Sequence, residues 1–178
     1  MTMTRILEKH DSIKDAVDKY TDTLKKVNER REIWTNESKA KIIDTLTLVK
    51  ETFKFDWQVQ RLEGTKNYQT INICFNQKSS GIIDIKIDEA TGKEKGLKAY
   101  IKQGGYLAFC QSFNGKINVI IGFPSIEEWV SRMDVKVIDT IEPEQVTEEL
   151  ISKHVVKFLE TMTEWEGKDR ETIGFKLI

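Results

Sequence analysis

The sequence predicts an α+β protein, with a central mostly antiparallel or mixed β-sheet, an N-terminal helical hairpin or coiled-coil helix, and a long C-terminal helix. Three observations lead there. Apolar residues repeat at heptad spacing from Ile6 to Trp34. They alternate singly through much of the middle, and they return to helical spacing between Ile151 and Trp165.

The first element is the most regular. Ile6, His10, Ile13, Val17, Tyr20, Leu24, Val27, Arg31 and Trp34 follow one another in steps of four and three, the period of a coiled-coil seam. Between them the chain is densely charged, as the solvated face of such a helix must be. At 1.5 Å per residue the helix spans roughly 45 Å, longer than a small domain needs for its own core. Such a seam is covered either by a second copy of the chain or by the next helix folded back as an αα-hairpin. Residues 1–35 are therefore read as an amphipathic helical unit and 36–178 as one α/β core domain. Thr35-Asn36 interrupts the pattern and supplies N-cap oxygens for a helix from about Glu37 to Phe55, striped by Ile42, Leu46, Val49 and Phe53.

The period then changes to two. Trp57-Gln58-Val59-Gln60 alternates, as does the run Ile71 to Asn76, and Ile83, Ile85 and Ile87 alternate with Asp84, Lys86 and Asp88. Each reads as a strand with one buried face. The segment 89–103 reads as helix or strand, since Leu97, Ala99 and Ile101 alternate within a short run. Asn114-Gly115 between two apolar runs marks a hairpin with a two-residue turn, and Gln103-Gly104-Gly105 reads as a turn or bulge. Ser125 with Glu128 resembles a capping box opening a short helix, Asp134–Ile141 a strand, and Pro143 the start of the last helix, which Gly167 ends. Residues 173–178 read as a closing edge strand.

Composition bounds the function classes. The chain has 178 residues, 39% of them hydrophobic and 32% charged, enough apolar material for a core. The formal charge of −1 hides a basic middle and an acidic end. Two cysteines and two histidines, unclustered, leave a four-ligand zinc site without material. His154, with Leu150 and Phe158 at helical spacing, reads as a structural helix histidine. The longest apolar run is far short of a membrane span, and the start of the chain has no apolar h-region. The expectation is a cytoplasmic protein with reduced thiols and no membrane partner. Lys93, Lys95, Lys98 and Lys102 around Tyr100 form a candidate nucleic-acid-binding cluster.

The remaining motif is "GIIDIKI", where Asp84 and Lys86 stand as an acid-x-Lys pair. Taken with "NESKAKIIDTL" opening a helix, "TINICF" as the preceding strand and "LAFCQSFNGKINVII" as the later hairpin, this order resembles the PD-(D/E)XK nuclease fold, and within it the N-terminal domain of type I restriction enzyme R subunits. The likeness spans roughly residues 36–122. It implies catalytic roles for Asp84, Lys86 and Glu37, and Mg²⁺ held in part by Asp84. It also asks for an acid near Asn72, where the chain has a neutral amide, and no Asp or Glu occurs between Gly64 and Ile83. Mg²⁺ needs charged oxygens. The expected function is accordingly a non-catalytic binding module on a nuclease-like fold, with a nucleic-acid or protein partner and no cofactor. One alternative is an assembly protein that dimerises through residues 6–34, and another is a Mg²⁺-dependent nuclease.

Overall fold

Fifty residues at the N-terminus form one continuous helical rod. In the computed structural model, which describes residues 3–126 and 134–167, with side chains from His10 onward, α1 (Met3–Ile33) passes through a π-helical turn (Trp34–Ser38) into α2 (Lys39–Thr52). Ile33, Ser38 and Lys39 all keep right-handed helical backbone angles. Thr35-Asn36 therefore does not break the helix or cap a new one, and α2 does not fold back over α1. The wide turn instead rotates Trp34 into the core, where its indole N–H donates to Gln69 Oε1 at 3.1 Å, and lets Ser38 Oγ donate to the Pro143 carbonyl at 2.9 Å. A π turn absorbs one extra residue, which explains why the buried positions Trp34, Ser38, Ile42 and Leu46 recur every four residues.

Five strands form an antiparallel sheet in the order β1-β2-β5-β6-β8: β1 (Trp57–Leu62), β2 (Thr70–Phe75), β5 (Tyr106–Gln111), β6 (Ile117–Gly122) and β8 (Val135–Ile141). Three more, β3 (Lys78–Ile87), β4 (Glu94–Gln103) and the short β7 (Ser125–Ile126), form a second antiparallel sheet with β3 at its outer edge. Segment 89–103 is thus strand from Glu94 onward. The order helix, antiparallel strands, helix makes the protein α+β, as its periodicity predicts.

The larger sheet is covered on one face by α2 and α3 (Glu148–Glu166). Ile71 and Ile73 of β2, Leu107 and Phe109 of β5, and Ile117, Val119 and Ile121 of β6 meet Ile42 and Leu46 of α2 and Ile151, Val155, Phe158 and Met162 of α3. Each such side chain contributes about 1.5–3 kcal/mol through burial. The last helix starts later than its proline suggests: Pro143–Gln145 is a 3₁₀ turn, and Thr147 caps α3 by accepting from the Leu150 N–H at 3.2 Å.

The β5–β6 hairpin forms as expected, with a different turn. Ser112 N–H donates to the Lys116 carbonyl at 2.7 Å and Gly115 N–H to the Ser112 carbonyl at 2.9 Å. The loop therefore has three residues, closed by Gly115 in the left-handed region (φ 82°), the position that three-residue hairpin loops reserve for glycine. Gly115 is doubly constrained, because a Cβ there would lie 2.7 Å from Arg30 Cβ and 2.9 Å from the Val27 carbonyl oxygen of α1. Ser125 and Ile126 lie in β7, so the expected helix does not begin there; its remaining residues fall outside the described ones, as does the strand expected at 173–178.

Candidate interaction surfaces

The α1 rod leaves the body at Val27. From His10 to Lys26 every residue is exposed, and the seam residues Ile13, Val17, Tyr20 and Leu24 are 47–65% exposed. Toward its C-terminal end the same face meets the protein's own body. Val27 and Arg30 lie against Gly115, Arg31 Nη2 donates to the Phe113 carbonyl at 2.9 Å, and Trp34 is buried. Phe113, at the hairpin tip beside this junction, is 79% exposed. Helices in water draw most of their stability from packing an amphipathic face, and this arm presents such a face without cover from the other described residues.

A second apolar surface lies on the β3–β4 ribbon. Ile83 stands opposite Ala99 and Ile85 opposite Leu97, and with Ile87 and Ile101 these residues line one face. Ile83, Ile85, Ile87 and Leu97 are all more than half exposed. The alternation correctly marks a strand, but the isoleucines are not its buried face. The second sheet turns its other face to the protein, where Tyr100 and Lys102 are buried.

The nuclease-like residues are dispersed. Asp84 is exposed on the edge strand β3, opposite Lys98 in register, and accepts from the Tyr100 hydroxyl at 3.4 Å. Lys86 is exposed two residues on. Asn72, at the position of the absent acid, lies in β2 of the other sheet, where its neighbours are Gln60 of β1 and Ala108 of β5. Glu37 is exposed within the π turn at the head of α2. A PD-(D/E)XK site needs the two acids on neighbouring strands, whereas β2 and β3 belong to different sheets. The donors at Asp84, one carboxylate with a tyrosine hydroxyl and a facing lysine, suit Mg²⁺ poorly, because the facing ammonium opposes a cation and only one charged oxygen ligand group is offered. Among the described residues no cluster of three or more His, Cys, Asp or Glu side chains is placed to hold a metal.

The basic cluster is divided as well. Lys93 and Lys95 are exposed at the start of the ribbon. Lys98 Nζ sits 4.9 Å from the Tyr100 ring centroid, a cation–π contact. Lys102 is buried, ion-paired with Glu166 of α3 and 5.1 Å from the Trp165 ring. Tyr100 and Lys102 thus fasten the ribbon to the body and do not share a surface with Lys93 and Lys95.

The open face of the five-stranded sheet carries a groove of about 550 Å³ lined by uncharged groups, among them Gln58, Gln60, Asn72, Cys74 and Cys110. Burial pushes both thiols above their ordinary values, which keeps them protonated and poor nucleophiles. Tyr106 lies flat across Gly122, its partner on β6, where any Cβ would fall 2.2 Å from the ring. On the other side His154 of α3 is buried edge-on against Phe109, with Nε2 3.4 Å from Asp139 Oδ2 but without hydrogen-bond alignment. It is a packed helix histidine, as its spacing suggests.

No family model, characterised protein or solved structure matches the chain. No described helix is long and apolar enough to cross a membrane. The exposed ribbon face was hidden from sequence reading, because alternation reports a two-faced strand without saying which face is covered. The heptads mark the seam itself, but not whether α2 covers it.

Proposed function

We propose that the protein is a non-catalytic binding module of the assembly kind, and that its first partner is a second copy of itself, bound through α1. The observation that carries this reading is the arm: a heptad seam whose central residues Ile13, Val17, Tyr20 and Leu24 all face solvent in the single chain. Burying such side chains against a partner helix stabilises by about 25 cal/mol for each Å² of apolar surface removed from water. The body stands at one end of the arm, so pairing of arms holds two bodies together and leaves both β3–β4 ribbons accessible.

Sedimentation at micromolar concentration tests it. The wild-type chain, 20.7 kDa, is expected at twice its monomer mass, and Val17→Glu with Leu24→Glu is expected to run as a folded monomer with unchanged sheet signal. A wild-type monomer, or a double variant that still dimerises, would sink the reading.

A further inference from the structure

Resting on that reading, we infer that the two arms pair antiparallel, in a register that places Val17 of one chain against Tyr20 of the second copy and Ile13 against Leu24.

The base of the arm supplies the steric argument. The seam face that is bare at Ile13 to Leu24 is occupied by the chain's own body from Val27 onward, through Gly115, the Phe113 carbonyl and the burial of Trp34. In a parallel pair both bodies would lie at the same end, each on the seam side, and would compete for the space between the helices. In an antiparallel pair they lie at opposite ends of an overlap running from Ile13 to Leu24, about 17 Å at 1.5 Å per residue. Each body then meets only the first turns of the second copy, beside the hairpin tip where Phe113 is 79% exposed, and not a second body.

Side-chain size agrees. Antiparallel layers set a small Val17 against a large Tyr20 and match Ile13 with Leu24. Parallel layers would set two tyrosines together and then two valines, one overfilled and one underfilled. The flanking positions within the overlap are Lys14, Ala16, Thr21 and Thr23. Both threonine hydroxyls donate to their own helix, Thr21 to the Val17 carbonyl and Thr23 to the Lys19 carbonyl, each at 2.9 Å. Their hydrogen-bonding needs are met inside the helix, so a close partner leaves neither donor stranded.

Charge selects the same orientation. From His10 to Asp18 the arm carries Asp11, Asp15 and Asp18 against Lys14, a net −2; from Lys19 to Val27 it carries Lys19, Lys25 and Lys26 against Asp22, a net +2. Antiparallel pairing sets each acidic half beside a basic half, and parallel pairing superposes like on like. These groups are exposed, so the preference is strongest at low salt.

The test uses the full-length chain with Cys74 and Cys110 replaced by alanine and single cysteines placed at exposed seam positions. Under mild oxidation, a mixture of Ile13→Cys and Leu24→Cys chains is expected to give a disulfide-linked dimer at least about tenfold more abundant than either variant alone, since only facing residues approach within disulfide reach. Efficient linkage of each variant with itself would show a parallel pair and overturn the register while leaving the dimer standing. A monomeric mass for the unoxidised chains would overturn both. Raising the salt is expected to lower the yield of the mixed pair, and a parallel pair would respond in the opposite sense.

Discussion

The Arg30 guanidinium holds the Glu142 carboxylate with two bonds, Nε to Oε2 at 2.6 Å and Nη2 to Oε1 at 3.0 Å, across 112 positions of sequence. Lys116 Nζ reaches the same carboxylate at 2.9 Å. One acid thereby ties the base of the arm, the β5–β6 hairpin and the turn before α3 into a single joint. The Lys116 hydrogen bond, followed by Arg30, holds the Glu142 carboxyl below its ordinary range.

A depressed carboxyl adds stability that is present above its unfolded value, near 4.3, and lost as pH falls through the folded one. Wild type should therefore lose stability below about pH 4.3 faster than Glu142→Gln, measured by urea unfolding at pH 7 and pH 3. The pair is partly solvent-exposed, so Arg30→Ala should cost about 1 kcal/mol, or roughly 2–4 °C in Tm. Equal acid sensitivity of wild type and Glu142→Gln would remove this joint as an electrostatic element.

His154 has the opposite chemistry and the same sign. Burial lowers its pKa; Asp139 on β8 works against this, and Lys153 beside it reinforces it. The unfolded chain takes up the proton first, so stability is complete above about pH 6.5 and falls as pH drops below it. His154→Phe, which keeps a ring against Phe109, should flatten the dependence between pH 6.5 and 5. A variant that tracks wild type through this window would show that another group dominates.

Much of this architecture was legible because periodicity reports geometry directly. The heptads of α1, the alternation in β1, β2 and β3 and the stripe of α3 each fall on an element of the expected type. What periodicity omits is the partner of each face. Ile73 and Ile85 occupy equivalent places in their patterns, yet one is fully buried and the other half exposed, because β2 lies under α2 and α3 whereas β3 is an edge strand of a separate sheet. The π turn was missed for a related reason: Thr35, Asn36 and Ser38 carry N-cap chemistry, and the core contact of Trp34 overrides it. Asp84 and Lys86 keep an acid-x-Lys spacing, but adjacency of β2 and β3 is a tertiary property that local order does not specify.

That contrast gives a stability prediction. Ile73→Ala should cost about 2–5 kcal/mol by leaving a cavity between the sheet and α3. Ile85→Ala should cost under about 1 kcal/mol, the range of surface and strand-propensity effects. Guanidinium unfolding of the two variants side by side checks it. Comparable losses would mean that the ribbon face is covered in solution, by a second copy or by another part of the chain.

The acid-x-Lys pair makes the sharpest test of catalysis. Asp84 is exposed, opposed by Lys98 and hydrogen-bonded by Tyr100, and its supposed companion Asn72 is both neutral and in another sheet. A nuclease of this class needs its metal bridged between two acids beside the attacking water. Wild type incubated with Mg²⁺ or Mn²⁺ and supercoiled DNA should therefore leave the DNA intact, and Asp84→Ala should behave identically. Because Lys102 is buried against Glu166 and Lys98 lies over Tyr100, Lys93 and Lys95 alone offer few phosphate contacts, and a gel shift at 50 mM salt should show weak binding that vanishes by 200 mM. Nicking by wild type that Asp84→Ala abolishes would establish an active metal site at β3, and with it a working nuclease in place of an assembly module.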